Sequence, residues 1–165
     1  MKKIKLRIGS LNKRHYRELY HYLENILRVD PLKYIPSKLY YTCFDEICFI
    51  HEEAGRLNKA SLIYSGLWIG LIINDNVYLS PQLYEKIYYD TGFKASIIVN
   101  DIATKNFLYG RDILEESILE KYPPLSNPIS VVDHRDRRVI GVAEYVGKGI
   151  YKNIYDLGWF LRIFG

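Results

Sequence analysis

The sequence predicts an α+β protein with two domains: an N-terminal α/β domain with a mostly antiparallel sheet, and a C-terminal domain of short strands. Three observations support this class. Hydrophobic residues make up 48% of the chain, which suits a packed core. Apolar residues recur with both helical and strand spacing up to Gly92, and after Gly92 most apolar residues lie in short runs typical of strands. The predicted domains are residues 1–92 and 93–165.

The chain is predicted to open with a strand and an amphipathic helix. Residues 4–8 alternate apolar and basic side chains, which is typical of a strand with one face on a core. Asn12 stands where a helix cap is expected, and apolar residues then recur at helical spacing. The helix is expected to end near Asp30, because Pro31 follows.

Two pairs of strands follow in the predicted N-terminal domain. The runs 38–43 and 46–51 are rich in β-branched and aromatic residues and predict a hairpin. A turn or short helix is expected at 53–59. The apolar run 62–73, a polar turn and the short run 77–79 predict the second pair.

A helix and several short elements complete the chain. Ser80 and Pro81 form a favourable start for a helix that is expected to end near Tyr89. A short helix is expected at 112–118, and a charged turn at 133–138 joins two strands. Strands are predicted at 95–99, 129–133 and 139–146.

The charge is moderately basic and unevenly distributed. The net charge is +4, and residues 1–38 contain ten Lys or Arg against three Asp or Glu. This balance permits an anionic partner. The longest apolar stretch, 67–73, is far shorter than the roughly 20 residues of a membrane span. The start of the sequence lacks the apolar segment of an export signal, so we expect a cytoplasmic protein without a membrane segment.

Motifs for nucleotide or acid–base chemistry are missing from the sequence. Neither a G-x-G-x-x-G nor a G-x-x-x-x-G-K-[ST] loop occurs. The His residues lack a neighbouring nucleophile with a third orienting group. Cys43, Cys48 and His51 offer only three ligands for zinc, and strand alternation already explains them. We therefore expect no catalytic residues, no bound metal and no cofactor.

Three ordered segments of the C-terminal part resemble a PUA domain, an RNA-binding fold named for pseudouridine synthases and archaeosine transglycosylases. Residues 106–114 (NFLYGRDIL) resemble its first strand-to-helix element. Val131-Val132, a polar turn and residues 140–143 resemble its central hairpin, and residues 156–162 (DLGWFLR) resemble its closing segment. The resemblance covers about residues 94–165 and implies a PUA-type pseudo-β-barrel.

The wider chain resembles archaeal-type members of the Nip-seven family, which assist assembly of the large ribosomal subunit. The likeness lies in the order of residues 65–70 (SGLWIG), 76–80 (NVYLS) and 107–110 (FLYG), followed by the C-terminal Leu-Gly-aromatic-aromatic-Leu-Arg string. It implies a monomer that binds pre-ribosomal RNA, single-stranded or rich in A and U, without catalysing a reaction. It also implies other ribosome assembly factors as partners.

The resemblance points to the RNA contacts, because PUA domains grip RNA near the Tyr-Gly element and a neighbouring strand. Two lysines are expected in a glycine-flanked loop before the last strand, where positive charge suits phosphate. The carried-over contacts are Tyr109, Gly110, Arg111, Lys148, Tyr151, Lys152 and Arg162.

Each of these assignments has a simpler alternative. Gly110 also suits a turn with positive φ and Tyr109 a core position, while surface lysines are often merely solvated. The turn at 133–138 mixes Arg with Asp and is expected to be a hairpin tip rather than a phosphate clamp. The basic residues of the first helix, including Arg17, fit a solvated face better than an extended RNA footprint or an acidic protein partner. A protein adaptor and an RNA-modification enzyme or its accessory subunit remain alternative functions.

Overall fold

The chain forms two compact units, residues 1–83 and 84–165. The computed structural model describes residues 5–53, 65–126 and 128–164. The boundary between the units falls inside a helix that ends at Thr91, and the predicted division after residue 92 lies just past that end. Within the described residues, no helix is long and apolar enough to cross a membrane.

The N-terminal unit contains one antiparallel sheet whose strands follow one another in sequence order. Asn74 and Asp75 join the last two strands, with φ of 49° and 64°. Both values are left-handed, as a two-residue hairpin turn requires, and Asn and Asp tolerate them. The strands are β1 (Leu6–Ser10), β2 (Tyr40–Phe44), β3 (Ile47–Glu53), β4 (Ser65–Ile73) and β5 (Asn76–Leu79).

Two of the helices begin at the caps that the sequence predicts. The Asn12 side chain accepts a hydrogen bond from the His15 backbone N–H at 2.8 Å, and the Ser80 hydroxyl accepts one from the Leu83 N–H at 3.0 Å. Both predictions are confirmed. The helices are α1 (Lys13–His21), which continues through one π-helical turn (Tyr22–Ile26), then α2 (Pro31–Tyr34) and α3 (Pro81–Thr91).

One face of the first helical segment forms the core of the N-terminal unit. Leu19, Leu23 and Leu27 are fully buried, as are Ile50 and Leu71 of the sheet. The first strand departs from expectation, because Leu6 and Ile8 are 51% and 37% exposed. The strand lies at the sheet edge and pairs only with β2, so its predicted buried face is wrong. The turn or short helix expected after β3 lies largely in residues 54–64, outside the described residues.

The cysteines of the first hairpin form a disulfide. Cys43 and Cys48 are directly opposite each other on β2 and β3, and both are buried. His51 lies further along β3, where its Nε2 is 3.0 Å from the Thr42 hydroxyl. The Cys-Cys-His motif therefore does not form a metal-ligand set in this structure.

The C-terminal unit contains a six-stranded sheet that curls into a half-barrel. Its order is β7-β11-β10-β9-β6-β8; β6 and β9 run parallel, and the other neighbours are antiparallel. The strands are β6 (Ser96–Val99), β7 (Ile113–Leu114), β8 (Ile118–Tyr122), β9 (Ile129–Asp133), β10 (Val139–Gly147) and β11 (Ile150–Asp156). With the first sheet, they confirm the predicted α+β class.

The helices of the C-terminal unit differ from expectation. The short helix predicted at 112–118 is wrong, because only Glu115–Ser117 is helical, as one 3₁₀ turn, with strands on both sides. Helix α4 (Asp101–Leu108) was not predicted, and it precedes the Tyr-Gly element. That element is thus a helix-to-strand connection, not the strand-to-helix one expected. Helix α5 (Leu157–Phe164) follows the last strand.

Candidate nucleic-acid interface

The Tyr-Gly element ends helix α4 in a glycine cap. Gly110 has a φ of 85°, a left-handed value that side chains with a Cβ rarely adopt. Its N–H donates to the Phe107 carbonyl at 2.8 Å, and the Arg111 N–H donates to the Asn106 carbonyl at 3.0 Å. These two bonds form a Schellman motif, which satisfies the last carbonyls of the helix. Gly110 is therefore needed by the turn itself.

The cap presents aromatic and basic side chains to solvent. Tyr109 is 78% exposed, so the prediction that it contacts RNA fits its position better than the core alternative. Arg111 is exposed, and Lys105 is exposed one helical turn before Tyr109. We call Lys105, Tyr109, Gly110 and Arg111 the α4 surface. Lys105 was missed because the sequence did not predict α4.

A buried network holds this cap from behind. Asn153 of β11 donates through its side chain to the Phe107 carbonyl at 2.9 Å and to Asp156 at 3.0 Å. Asp156 is 1% exposed and accepts a hydrogen bond from Arg162 at 2.8 Å. Arg162 also donates to the Leu108 carbonyl. The structure thus ties Arg162, predicted as an RNA contact, to the fold of the cap.

Strand β11 lies beside the cap. The Asn153 backbone N–H donates to the Asp112 side chain at 2.9 Å, and Tyr151 pairs with Ile113 of β7. Lys152 precedes Asn153 and is exposed. Lys152 and Arg111 consequently lie on neighbouring segments.

The predicted loop of two lysines is shorter than expected. Lys148, with a φ of 53°, and Gly149 form the turn between β10 and β11, whereas Lys152 lies inside β11. The Glu115 N–H donates to the Gly149 carbonyl at 2.8 Å and fixes the turn. Lys148 remains exposed at its tip.

Tyr151 does not offer a ring face to a ligand. It is only 3% exposed, and burial raises the pKa of its hydroxyl, with a further contribution from Tyr145. Its ring centroid lies 5.0 Å from that of Tyr145, which is 46% exposed. Tyr145 is the aromatic side chain available on this hairpin, and the sequence analysis did not select it.

Most arginines of the C-terminal unit form ion pairs with acidic side chains. Arg135 pairs with Asp101, Arg137 with Glu120 at 3.0 Å and Arg138 with Glu85 at 3.0 Å. Hydrogen bonds from Arg135 hold the pKa of the Asp101 carboxyl below its usual value. The turn at 133–138 is therefore a neutralised hairpin tip, as expected, and not a phosphate clamp.

The α4 surface and the β10–β11 hairpin together carry four cations without an acidic partner. No acidic side chain of the described residues pairs with Lys105, Arg111, Lys148 or Lys152. Glu144 stands opposite Lys152 in the strand register without an ion pair between them. Four cations without an ion pair, on segments that also expose Tyr109 and Tyr145, suit phosphate and base contacts.

One cluster in the described part of the chain has ligand types for a metal ion. Asp101, Asp133 and His134 place one ligand atom each within 4.8 Å of one another. His134 Nδ1 lies 3.2 Å from Asp101 and 3.6 Å from Asp133. Both Asp101 oxygens already accept hydrogen bonds from Arg135, so this carboxylate serves an ion pair.

The C-terminal unit matches a known domain family. Residues 95–165 match the family described as the UPF0113 PUA domain. A comparison with curated proteins found no match. The family match covers all three segments whose resemblance to a PUA domain the sequence analysis noted.

Solved archaeal structures share the fold of nearly the whole chain. A conserved PUA domain protein from Thermoplasma acidophilum is similar with a TM-score of 0.62 at 13% identity, over 96% of this chain and 100% of that one. A hypothetical protein from Pyrococcus horikoshii OT3 gives 0.62 at 12% identity, over 94% and 99%. A PUA domain from Aeropyrum pernix K1, solved as a tartrate complex, gives 0.55 at 13%, over 96% and 91%. These likenesses confirm the predicted fold.

Proposed function

Because residues 95–165 match the UPF0113 PUA domain, and a PUA domain implies RNA binding in general, we propose that this protein binds single-stranded RNA without catalysing a reaction. The observation that carries the proposal is the helix cap. Tyr109 and Arg111 are exposed on a backbone that Asn153 and Arg162 fix from behind. A fixed platform of this kind lowers the ordering cost of binding.

Each part of this surface has a role in the proposal. Arg111, Lys148 and Lys152 contact phosphates, and Lys105 adds a fourth cation. Tyr109 and Tyr145 stack on unpaired bases, because stacking tolerates any base. Because Gly110 has no side chain, the RNA can approach the backbone of the cap closely. A preference for A- and U-rich RNA would then arise because such RNA forms only weak base pairs and therefore stays single-stranded.

The first test removes two of the phosphate contacts. Changing Lys148 and Lys152 together to Ala should lower affinity for oligouridine and oligoadenosine alike, by roughly ten-fold, since phosphate contacts do not read sequence. Fluorescence anisotropy measures both constants. The matched control changes Lys86 and Lys94 to Ala, which removes equal charge elsewhere in the same unit. Equal losses in both variants would contradict the assigned surface.

We further propose a role in large ribosomal subunit assembly, with pre-ribosomal RNA as the ligand and the protein acting as a monomer. The support is the order of the four Nip-seven-like strings in the sequence. Co-sedimentation with precursors of the large subunit tests this role. Sedimentation only with mature particles, or with none, would argue against it.

One observation favours protein partners among the assembly factors in addition to RNA. Helix α5 exposes 38% of Leu157 and 77% of Leu161, which are one helical turn apart. Changing Leu161 to Ser should release an assembly factor while RNA affinity is retained. Crosslinking within assembling particles would detect that loss.

A further inference from the structure

The net positive charge of the protein lies at the start of the N-terminal unit. Residues 1–38 have ten basic and three acidic residues, whereas residues 84–165 have eleven of each. The C-terminal surface therefore attracts RNA only through local, unpaired cations. A net positive field has to come from the N-terminal unit.

Part of this charge converges on a cavity. A cavity of about 210 Å³ lies between helix α1 and the chain entering β2. Lys13 and Arg17, one helical turn apart, line it from the helix, and Ser37 and Lys38 line it from the other side. Three cations and a hydroxyl thus surround one small space.

Hydrogen bonds fix the two walls of this cavity. The Tyr16 hydroxyl donates to the Pro36 carbonyl at 3.1 Å, and the Leu11 N–H donates to the Leu39 carbonyl at 2.8 Å. The Asn12 side chain caps the start of α1. The segment that carries Ser37 and Lys38 is held against the helix without a ligand.

The cations that line the cavity are not neutralised by the protein. In the described part of the chain, no acidic side chain forms an ion pair with Lys13, Arg17 or Lys38. Arg14, between the first two in sequence, behaves differently because it pairs with Glu18 at 3.2 Å and Asp75 at 2.6 Å. The Lys38 ammonium lies 5.5 Å from the centroid of the Tyr40 ring.

The helix itself adds to the positive potential. The first turn of α1 contains no acidic residue, and Lys13 is its first residue. Cations are unfavourable at this end of a helix, where the backbone dipole is positive. A bound anion would relieve this repulsion.

We propose that the cavity lined by Lys13, Arg17 and Lys38 binds a phosphate group of the RNA chain. A guanidinium can hold two phosphate oxygens, and the two ammonium groups and the Ser37 hydroxyl supply further donors. The space suits a small tetrahedral anion better than a protein segment. This inference rests on the proposed function and extends RNA contact to the N-terminal unit.

The test compares two charge-matched pairs of substitutions in the full-length protein. R17Q/K38Q removes two cations of the cavity, and R28Q/K33Q removes two exposed cations of the same region outside it. For a twelve-nucleotide oligouridine, we expect R17Q/K38Q to lower affinity about ten-fold and to reduce the salt slope by roughly 0.7, the value for the one phosphate contact that is lost. The control pair should lower affinity about two-fold at most. Equal losses in the two pairs would show a general field and overturn the cavity site.

Two further arms separate this inference from the proposed function. In ¹⁵N NMR, inorganic phosphate should shift amides near Lys13 and Ser37 in the wild type and not in R17Q/K38Q; no shift in the wild type would reject the site. Oligoglutamate of equal charge should compete poorly with oligouridine. Equal competition would assign the cavity to an acidic protein and overturn the RNA assignment. Loss of RNA binding in the K148A/K152A variant with the phosphate shifts retained would leave this inference standing.

Discussion

Arg162 illustrates how one side chain supports a surface from behind. Its guanidinium joins the buried Asp156 carboxylate to the Leu108 carbonyl, directly behind the Gly110 cap. A Cβ built at Gly110 would lie 3.0 Å from this guanidinium. The sequence places Arg162 in the closing PUA-like string, but a string cannot show which partner the side chain meets.

Changing Arg162 to Ala should therefore lower the free energy of unfolding, by about 2 kcal/mol, since it leaves Asp156 buried without its cation. RNA affinity should fall as a consequence. Changing Arg111 to Ala should instead weaken RNA binding and leave stability unchanged. Urea unfolding and anisotropy, run on both variants, separate the two roles; a stable Arg162 variant with lost affinity would restore it as a direct contact.

The two tyrosines of the β10–β11 hairpin differ in burial in a way that the sequence pattern does not predict. Tyr145 and Tyr151 face each other in the register, yet one is 46% and the other 3% exposed. An irregularity in pairing follows directly, between Tyr145 and Gly147. Directly opposite side chains share a face of the sheet, so alternation alone does not reveal that one of the two rings is exposed and the other buried.

At the scale of elements, the β4–β5 turn is tied to helix α1. Asp75 of the turn accepts hydrogen bonds from Arg14, and its Oδ1 lies 3.0 Å from Nε2 of the buried His15. Hydrogen bonds from Arg14 and then His15 lower the pKa of the Asp75 carboxyl from its ordinary value of 3.8. The charged form of Asp75 is thus favoured in the folded state.

Replacing Asp75 with Asn should destabilise the protein at neutral pH and make less difference in acid. A carboxyl with a lowered folded pKa contributes stability above its unfolded pKa, and this contribution is lost as pH falls below about 4 through the folded value. Thermal midpoints at pH 7 and pH 3 measure the effect. Replacing exposed Glu46 with Gln in the other hairpin turn is the control. An equal difference in thermal midpoint between wild type and the Asp75 variant at the two pH values would contradict a stabilising contact between the charged Asp75 and helix α1.

The elements that the sequence predicted well are those with strong local signals. Caps at Asn12 and Ser80 and the polar turn before β5 are short-range patterns, and all three are confirmed. Helix α4 gave a weaker signal, because its two turns bury only a narrow stripe around Ala103 and Phe107. Its Asn100 cap, which accepts from the Ala103 N–H at 2.9 Å, was the available clue.

At the scale of the whole molecule, charge is divided between a basic start and a neutral C-terminal unit. The sequence counts showed this division. They could not show that arginines of the neutral unit are paired while Lys105, Arg111, Lys148 and Lys152 are not, since pairing depends on contacts between distant segments such as Arg138 and Glu85. Nor could they show the cavity beside α1.

A salt titration of RNA binding by the full-length protein tests whether both units contact phosphates. Each phosphate contact on single-stranded RNA contributes about −0.7 to the slope of log K against log salt. The four cations of the α4 surface and the β10–β11 hairpin should give a slope of about −3, and the one phosphate bound in the cavity should extend it to about −3.5. Anisotropy with oligouridine across salt concentrations measures the slope. A value near zero would contradict phosphate binding by either unit.

The strand orders of the two sheets have a consequence for how the chain acquires its structure. In the N-terminal sheet every described strand pairs with its neighbour in sequence. In the C-terminal sheet β7 pairs with β11, and β6 lies between β8 and β9. Pairing strands that are far apart in sequence costs more chain entropy and slows folding. During synthesis the first unit can thus fold early, while the Gly110 cap is completed only when β11 and α5 have emerged.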